Sequence, residues 1–332
     1  MIDYDFTKIP FDRIVKLGQI SMLDTDLFTV SWLLGRYCNF KCSYCWAHGR
    51  SDKKDHRPTE LCLKTIDRIK EQARANGYNS FHFSLSGGEP TLHPGYLDIL
   101  DKLVFDLNNT TYTSIHMTTN MSKHLEWFKE YLKRANQFDR ASITASYHRE
   151  FSDKKLFANK ILFLKDNGIY PTVNIVMVPE NFNELYQTAR YFHDRGLNVT
   201  LKPQSDSHAN FIVGGYTDEQ LEILHNGMKQ TLDDTPLMRV RMKDDEGKIW
   251  YIDQAERFNA FNFNKFKGWK CESGCRSIII REPCGRIKRS YSCHDEPLGN
   301  IETGFKLFDG PKECITPTCV SSADSKIPKT RT

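Results

Sequence analysis

Between residues 28 and 203, six short runs of β-branched and aromatic residues alternate with stretches of helical apolar period. Strands are predicted over 28–34, 81–85, 114–119, 141–146, 172–178 and 198–202. Helices are predicted between them, over 59–76, 95–106, 123–135, 154–167 and 183–195. The first helix shows the period: Leu61, Thr65, Ile66 and Ile69 share one face, and Gly77 closes it. Strands joined through helices pair in parallel, because a parallel neighbour is reached only by a long crossover. The class is therefore α/β. An open doubly wound sheet and a partial barrel both satisfy the pattern, and periodicity does not choose between them.

Beyond residue 203 the rhythm stops. Residues 204–216 are polar and contain glycine, which reads as a connector, and a helix is predicted over 218–231. Strand-like pieces follow at 237–242 and 248–252, then an aromatic stretch at 258–269. The final segment has little helical period but holds six of the ten cysteines, and such a segment struggles to form a core unless a metal helps to fold it. The expected division is 1–27 as an N-terminal extension, 28–210 as the α/β core, 211–268 as a connecting region and 269–332 as a small Cys-rich domain. A length of 332 residues suits about two domains at ~150 residues each.

Composition narrows the function classes. With 39% hydrophobic and 27% charged residues the chain is ordinary globular protein rather than a disordered one. A net charge of +4 does not suggest a dedicated nucleic-acid or anionic-membrane binder. No apolar run approaches the ~20 residues of a membrane helix. The start, Met1-Ile2-Asp3-Tyr4-Asp5, has neither the basic nor the apolar region of a secretory signal. A cytoplasmic, soluble protein is expected, and there ten cysteines point to metal or redox chemistry rather than a disulfide framework.

Cys38, Cys42 and Cys45 put three thiols on one short loop directly after the first strand. Thiolates at this spacing suit one soft metal centre. A structural zinc site is normally closed by four ligands, and a cubane iron–sulfur cluster takes one cysteine per iron. Three local cysteines therefore leave one iron open to an external ligand. Three unrelated buried cysteines, or a zinc site borrowing a distant fourth ligand, are the alternatives. One βα unit later stands Gly87-Gly88-Glu89-Pro90, which taken alone is an ordinary tight turn.

In this order and spacing the two motifs resemble those of radical S-adenosylmethionine (radical SAM) enzymes: C-x3-C-x2-C, with the aromatic Tyr44 before the third cysteine, followed by GGEP. The resemblance covers residues 28–203 and implies a partial (β/α)6 barrel with a [4Fe-4S] cluster at the C-terminal mouth of the strands. It implies that the open iron is chelated by the methionine end of S-adenosylmethionine. Gly87 and Gly88 would let the backbone approach that ligand, Glu89 would receive its amino group, and Pro90 would stiffen the turn. By the same resemblance Thr119 and Asn120 lie near the ribose, Thr144 and Ser146 near the methionine carboxylate, and Asn174 points inward from the fifth strand. Strand-end capping is the alternative for each of these. His148, with Glu150 after the fourth strand, has the pKa to take a proton from substrate, the alternative being a solvated loop histidine.

The late cysteines are similar to the SPASM and twitch auxiliary-cluster domains of the same superfamily, although seven residues rather than the usual four separate Gly285 from Cys293. Six cysteines favour one auxiliary [4Fe-4S] cluster over two, with Cys271, Cys275 and Cys293 plus Cys314 or Cys319 as ligands. A zinc ribbon is the alternative for the group. Cys284, on a hairpin turn, is left either as an inert residue or as a hydrogen-atom donor. Cys62 reads as a core residue.

The resemblance thus implies an enzyme that cleaves S-adenosylmethionine reductively and abstracts hydrogen from an unactivated C–H bond, fed by an electron donor such as flavodoxin or ferredoxin. Peptide modification (cross-link, oxidation or epimerisation) ranks first. Dehydrogenation or rearrangement of a sugar or another small molecule ranks a close second, because only 37 residues precede Cys38, too few for a leader-peptide-binding domain. A non-enzymatic zinc or iron–sulfur scaffold explains the cysteines as well, but not the Gly-Gly-Glu-Pro turn placed one unit after them.

Overall fold

The computed structural model describes residues 8–46, 49–105, 110–206, 212–228, 239–252, 263–281, 284–294 and 297–331. The chain opens with β1 (Ile14–Gln19) and a single helical turn, α1 (Ile20–Leu23). The alternation then runs β2 (Leu27–Leu33), α2 (Thr59–Ala75), β3 (Ser80–Ser86), α3 (Tyr96–Phe105), β4 (Tyr112–Thr119) and α4 (Leu125–Ala135). It continues through β5 (Arg140–Tyr147), α5 (Lys154–Asp166), β6 (Tyr170–Met177), α6 (Phe182–His193) and β7 (Asn198–Pro203). Each strand and helix expected between residues 28 and 203 is present, with ends shifted by a few residues.

Strands β2 to β7 lie in sequential order and every neighbouring pair is parallel. A doubly wound sheet would reverse its strand order part-way. This one does not, so the helices pack against one face and the sheet curves around the other. The result is a partial barrel whose β7 edge is not closed by another strand among the described residues.

The residue pattern explains which face is which. Phe28, Val30, Trp32, Phe81, Phe83, Ile115 and Met117 are buried in one core with Ile66, Ile69, Leu100, Leu103 and Phe128 of the helices. Their alternate neighbours, Thr29, Ser31, His82, Ser84, His116, Thr118, Ser142 and Thr144, are half-buried on the concave side. Closed (β/α)8 barrels fill that side with branched apolar residues. Here it is lined by hydroxyls and imidazoles, which do not pack into a dry core.

After β7 comes α7 (Asp218–Asn226), started by a Thr217–Gln220 capping box. It stops short of the expected 231 because Gly227 turns the chain at a φ of +64°. Then follow β8 (Val240–Asp244), β9 (Ile249–Ile252), β10 (Lys270–Cys271), β11 (Ser277–Arg281), β12 (Arg286–Lys288), β13 (Gly299–Asn300) and β14 (Gly304–Phe305). The last elements are β15 (Lys312–Glu313), α8 (Ser322–Ser325) and β16 (Lys329–Thr330). Parts of the expected strand at 237–242 and of the aromatic stretch at 258–269 lie outside the described residues.

These late strands divide between two sheets. β11 joins the barrel sheet parallel to β2, and β12 to β14 extend it antiparallel. The others form a second sheet in the order β15-β10-β16-β1-β8-β9. The segments divided at 27, 210 and 268 are thus interleaved: β1, from the N-terminal extension, sits between β16 and β8. A second core fills that sheet, with Ile14, Leu17, Val240, Met242, Phe266 and Trp269. Phe263 stacks on Phe11 at 4.7 Å between ring centres. Among the described residues no helix is long and apolar enough to cross a membrane.

Candidate active site

The three-cysteine loop leaves the C-terminal end of β2 and is held from two sides. On the near side Asp55 accepts the backbone N–H groups of Arg36 at 2.9 Å and Tyr37 at 3.0 Å. On the far side the loop after β5 grips it. Ser43 donates its N–H (3.0 Å) and its hydroxyl (2.6 Å) to the Glu150 carboxylate. Tyr44 Oη shares a 2.9 Å hydrogen bond with His148 Nδ1, and Phe40 stacks on Phe151 at 4.9 Å. Cys38 and Cys42 are half-buried and Cys45 is exposed. Burial, followed by the nearby Glu150 carboxylate, pushes the Cys42 thiol up to about 12, and burial also raises Cys38 and Cys45. A metal centre binding here must therefore displace protons.

His148 lies where the sequence placed it, at the mouth of the barrel. Its Nδ1 is already engaged by Tyr44, and burial lowers its pKa to about 4, so it is neutral at neutral pH. In this geometry it anchors the cysteine loop.

The Gly-Gly-Glu-Pro turn follows β3. A Cβ on Gly87 would stand 2.3 Å from the Gly35 carbonyl oxygen, and one on Gly88 would stand 2.3 Å from that of Arg36. What approaches these glycines in the structure is the chain's own backbone leading into Cys38. Gly88 N–H donates to Gly35 and Glu89 N–H to Tyr37, each at 2.9 Å. The two motifs are therefore fastened together directly.

Glu89 is fully buried, and its carboxylate accepts four hydrogen bonds. The donors are Thr91 N–H (3.1 Å), Thr91 Oγ1 (2.6 Å), Thr119 Oγ1 (2.8 Å) and Asn120 N–H (2.6 Å). Asn120 in turn donates through Nδ2 to Asn39 at 3.0 Å and points at Cys38 Sγ, 3.8 Å away. Pro90 is buried at the start of a single 3-10 turn.

One sequence assignment shifts with strand phase. Thr119 is buried with its hydroxyl committed to Glu89, and the hydroxyl that faces the concave side is that of Thr118. Thr144, Ser146 and Asn174 do face that side. Thr118 pairs with Thr144, and Ser146 with Asn174, so these groups form a continuous polar band near the mouth. Deeper in the barrel, His82 and His116 share 2.8 Å hydrogen bonds with Ser114 and Ser142. Burial, and then the Lys326 charge, lowers His82 to about 3 and His116 to about 4.

The late cysteines gather at the opposite end of the sheet. Arg276 caps the start of β2 by donating its Nε to the Leu27 carbonyl at 3.0 Å, so the Cys271–Cys275 segment lies beside the strands' N-terminal ends. β2 is seven residues long, about 20 Å at ~3.3 Å per residue, and separates this segment from the Cys38 loop. Cys271, Cys293, Cys314 and Cys319 line one buried cavity. Cys275 does not: it is buried apart from the cavity, its thiol donating to the Glu272 carbonyl at 3.2 Å. The expected set of Cys271, Cys275 and Cys293 with one of the last two thus differs from the set the structure brings together. Cys284 is exposed on the β11–β12 turn, and its strand runs beside β2 toward the mouth of the barrel. Cys62 is buried in the main core. Among the described residues, no three His, Cys, Asp or Glu side chains converge tightly enough to hold a single metal ion.

Residues 32–225, more than half the chain, match the family described as the Radical SAM superfamily. The chain belongs to the radical SAM superfamily. Similar solved structures include native anSMEcpe with bound AdoMet, which is 15% identical, covers 84% of this chain and 79% of its own, and has a TM-score of 0.52. Hexahistidine-tagged anSMEcpe with bound AdoMet is 14% identical over the same shares, with a TM-score of 0.54. Native anSMEcpe with bound AdoMet and Cp18Cys peptide is 14% identical over 84% and 78%, with a TM-score of 0.52. At these identities the likeness is one of fold. No curated protein sequence matches the chain.

Membership of the radical SAM superfamily makes the chain an enzyme that uses S-adenosylmethionine and a [4Fe-4S] cluster. Its residues suit both groups. Three thiols on a loop pinned by Glu150 and His148 are one fewer than the irons of a cubane. The polar band beside them offers hydroxyl and amide groups to an amino-acid ligand and its ribose. The Glu150 clamp and the Asp55 bracket escaped sequence reasoning because each partner lies far along the chain. The serine and threonine alternation within the strands was the available signal for the polar concave face.

Proposed function

We propose that this radical SAM enzyme modifies a peptide, by cross-linking, oxidation or epimerisation, and that it carries an auxiliary [4Fe-4S] cluster in a SPASM- or twitch-like C-terminal region. The observation that carries the reading is the set of four buried thiols, Cys271, Cys293, Cys314 and Cys319, around one cavity at the far end of the barrel sheet. When bound at the Cys38, Cys42 and Cys45 loop, the first cluster supplies the electron, drawn from a donor such as flavodoxin or ferredoxin, that releases a 5′-deoxyadenosyl radical from S-adenosylmethionine.

The chain's own residues do the positioning. Glu89 holds the glycine turn, Thr119 and Asn120 as one unit beside Cys38, so the backbone edge facing the ligand is preorganised. Thr144, Ser146 and Asn174 orient the cofactor from the facing strands. Below them the hydroxyls and neutral imidazoles of the concave face offer partners to the amide groups of a peptide. The presence of a peptide in one of the similar structures supports this choice over a sugar.

The test is anaerobic incubation of reduced, reconstituted enzyme with S-adenosylmethionine and short peptides encoded beside its gene, read by mass spectrometry. 5′-Deoxyadenosine together with a peptide mass loss of about two hydrogens, or an altered residue stereochemistry, is expected. Modification of a small metabolite but of no peptide would overturn the substrate class. Absence of 5′-deoxyadenosine would overturn the radical route.

A further inference from the structure

Lys329 is only 2% exposed, yet it lines the same cavity as the four thiols. The register explains how it comes to be there. On the second sheet Lys329 of β16 stands directly opposite Cys271 of β10, and cross-strand partners project to the same face. Its ammonium has three donors, and three carbonyls take them: Asp324 at 2.7 Å, Ile327 at 2.9 Å and Ser325 at 3.2 Å. The ring of Phe266 lies 4.7 Å from the nitrogen. These contacts satisfy the hydrogen bonds, and the charge also acts on the buried Asp324 carboxylate and on the Cys314 and Cys319 thiols.

A buried cation is costly unless an anion lies close by. The carboxylate that lines the cavity, Asp324, accepts from Ser292 N–H (2.9 Å) and Ser292 Oγ (3.0 Å). Four cysteine thiolates around an iron–sulfur core would supply the larger negative charge. A second group is poised in the same way. The Thr316 hydroxyl lines the cavity, is buried, and has no hydrogen-bond partner among the described residues. An orphaned hydroxyl at such a place is explained by an acceptor that occupies the cavity.

We propose that Lys329, through its charge, and Thr316, through its hydroxyl, raise the reduction potential of the auxiliary group held by Cys271, Cys293, Cys314 and Cys319. Net charge and hydrogen bonds to sulfur are the levers by which a protein sets such a potential, and both residues stabilise the more negative, reduced form. They are positioning residues for that group. The proposal rests on the auxiliary-cluster reading above, and it implies that a C-terminal strand only two residues long tunes the centre.

The test uses the full chain carrying Cys38→Ala, Cys42→Ala and Cys45→Ala, so that only the auxiliary centre is observed. Iron is counted after anaerobic reconstitution, and the midpoint potential is read by redox titration with electron paramagnetic resonance. Lys329→Met should shift the midpoint to more negative potential at unchanged iron content, and Thr316→Val should shift it the same way by less. Thr316→Val removes no hydrogen bond among the described residues, so it carries the test should Lys329→Met fail to fold, and an unmoved midpoint in folded Thr316→Val then overturns the proposal. An unmoved midpoint in a folded Lys329→Met protein overturns it directly. Zinc, or no iron, in the parent triple variant would instead remove the auxiliary-cluster reading on which it rests.

Discussion

The Glu89 carboxylate accepts the backbone N–H of Asn120 at 2.6 Å, while the Asn120 side chain reaches Asn39 beside Cys38. Two strand ends and the cysteine loop are joined through this pair. Glu89 is therefore bonded to protein on both oxygens, and it holds Thr91, Thr119 and Asn120 in place.

Glu89→Gln should disturb that junction. One acceptor oxygen becomes an amide donor facing an N–H or hydroxyl at a fully buried position. A loss of about 1–3 kcal/mol in unfolding free energy is expected, as for an unsatisfied buried group. Cleavage of S-adenosylmethionine should fall by roughly ten-fold or more, the factor that each ~1.4 kcal/mol of lost positioning brings. Denaturant unfolding and 5′-deoxyadenosine yield check the two parts, and wild-type behaviour in both would show that Glu89 is dispensable.

Iron counting separates the cysteine sets. Reconstituted protein should hold about eight iron atoms, four for each cubane. Replacing Cys293, Cys314 and Cys319 with Ala should leave about four. Cys275→Ala should leave all eight, since Cys275 lies apart from the cavity. A drop to about four in that single variant would restore Cys275 to the ligand set.

The concave histidines make a pH prediction. Burial holds the folded-state pKa of His116 at about 4 and of His82 at about 3, both below the usual 6.5. The unfolded chain then binds more protons between these values, so stability rises with pH there. It should be complete above about pH 6.5 and decline as the pH falls toward 4. Unfolding curves from pH 5 to 8 should show the decline, with a shallower slope in a His82→Gln, His116→Gln double variant. An identical slope would mean that neither imidazole is held neutral.

The fate of the substrate radical can be read from solvent isotope. Cys284 is exposed on a turn whose strand runs toward the barrel mouth. Epimerisation would need a hydrogen atom returned by a donor such as this thiol, which exchanges with water. Oxidative chemistry would not. The oxidative outcome is expected: no deuterium from heavy water in the product, and Cys284→Ala still active. One solvent deuterium in the product, lost together with activity in Cys284→Ala, would establish the donor role instead.

The sequence by itself determined the elements and motifs that depend on near neighbours. Apolar period marks α2 through Ile66 and Ile69, and turn chemistry marks Gly87-Gly88-Glu89-Pro90. The spacing of Cys38, Cys42 and Cys45 keeps three thiols on one loop wherever the chain goes. Tertiary structure alone decided the rest, because pairing is long-range. A phase of one residue puts Thr118 on the concave face and buries Thr119 against Glu89, since strand side chains alternate. Sequential strand order chose the partial barrel over the doubly wound sheet. The presence of Cys319 rather than Cys275 in the cavity lining, and the arrival of Lys329 opposite Cys271, depend on strands brought together from residues 14–19, 270–271, 312–313 and 329–330. Those contacts form only when the chain's two ends meet in one sheet, and no local pattern records that meeting.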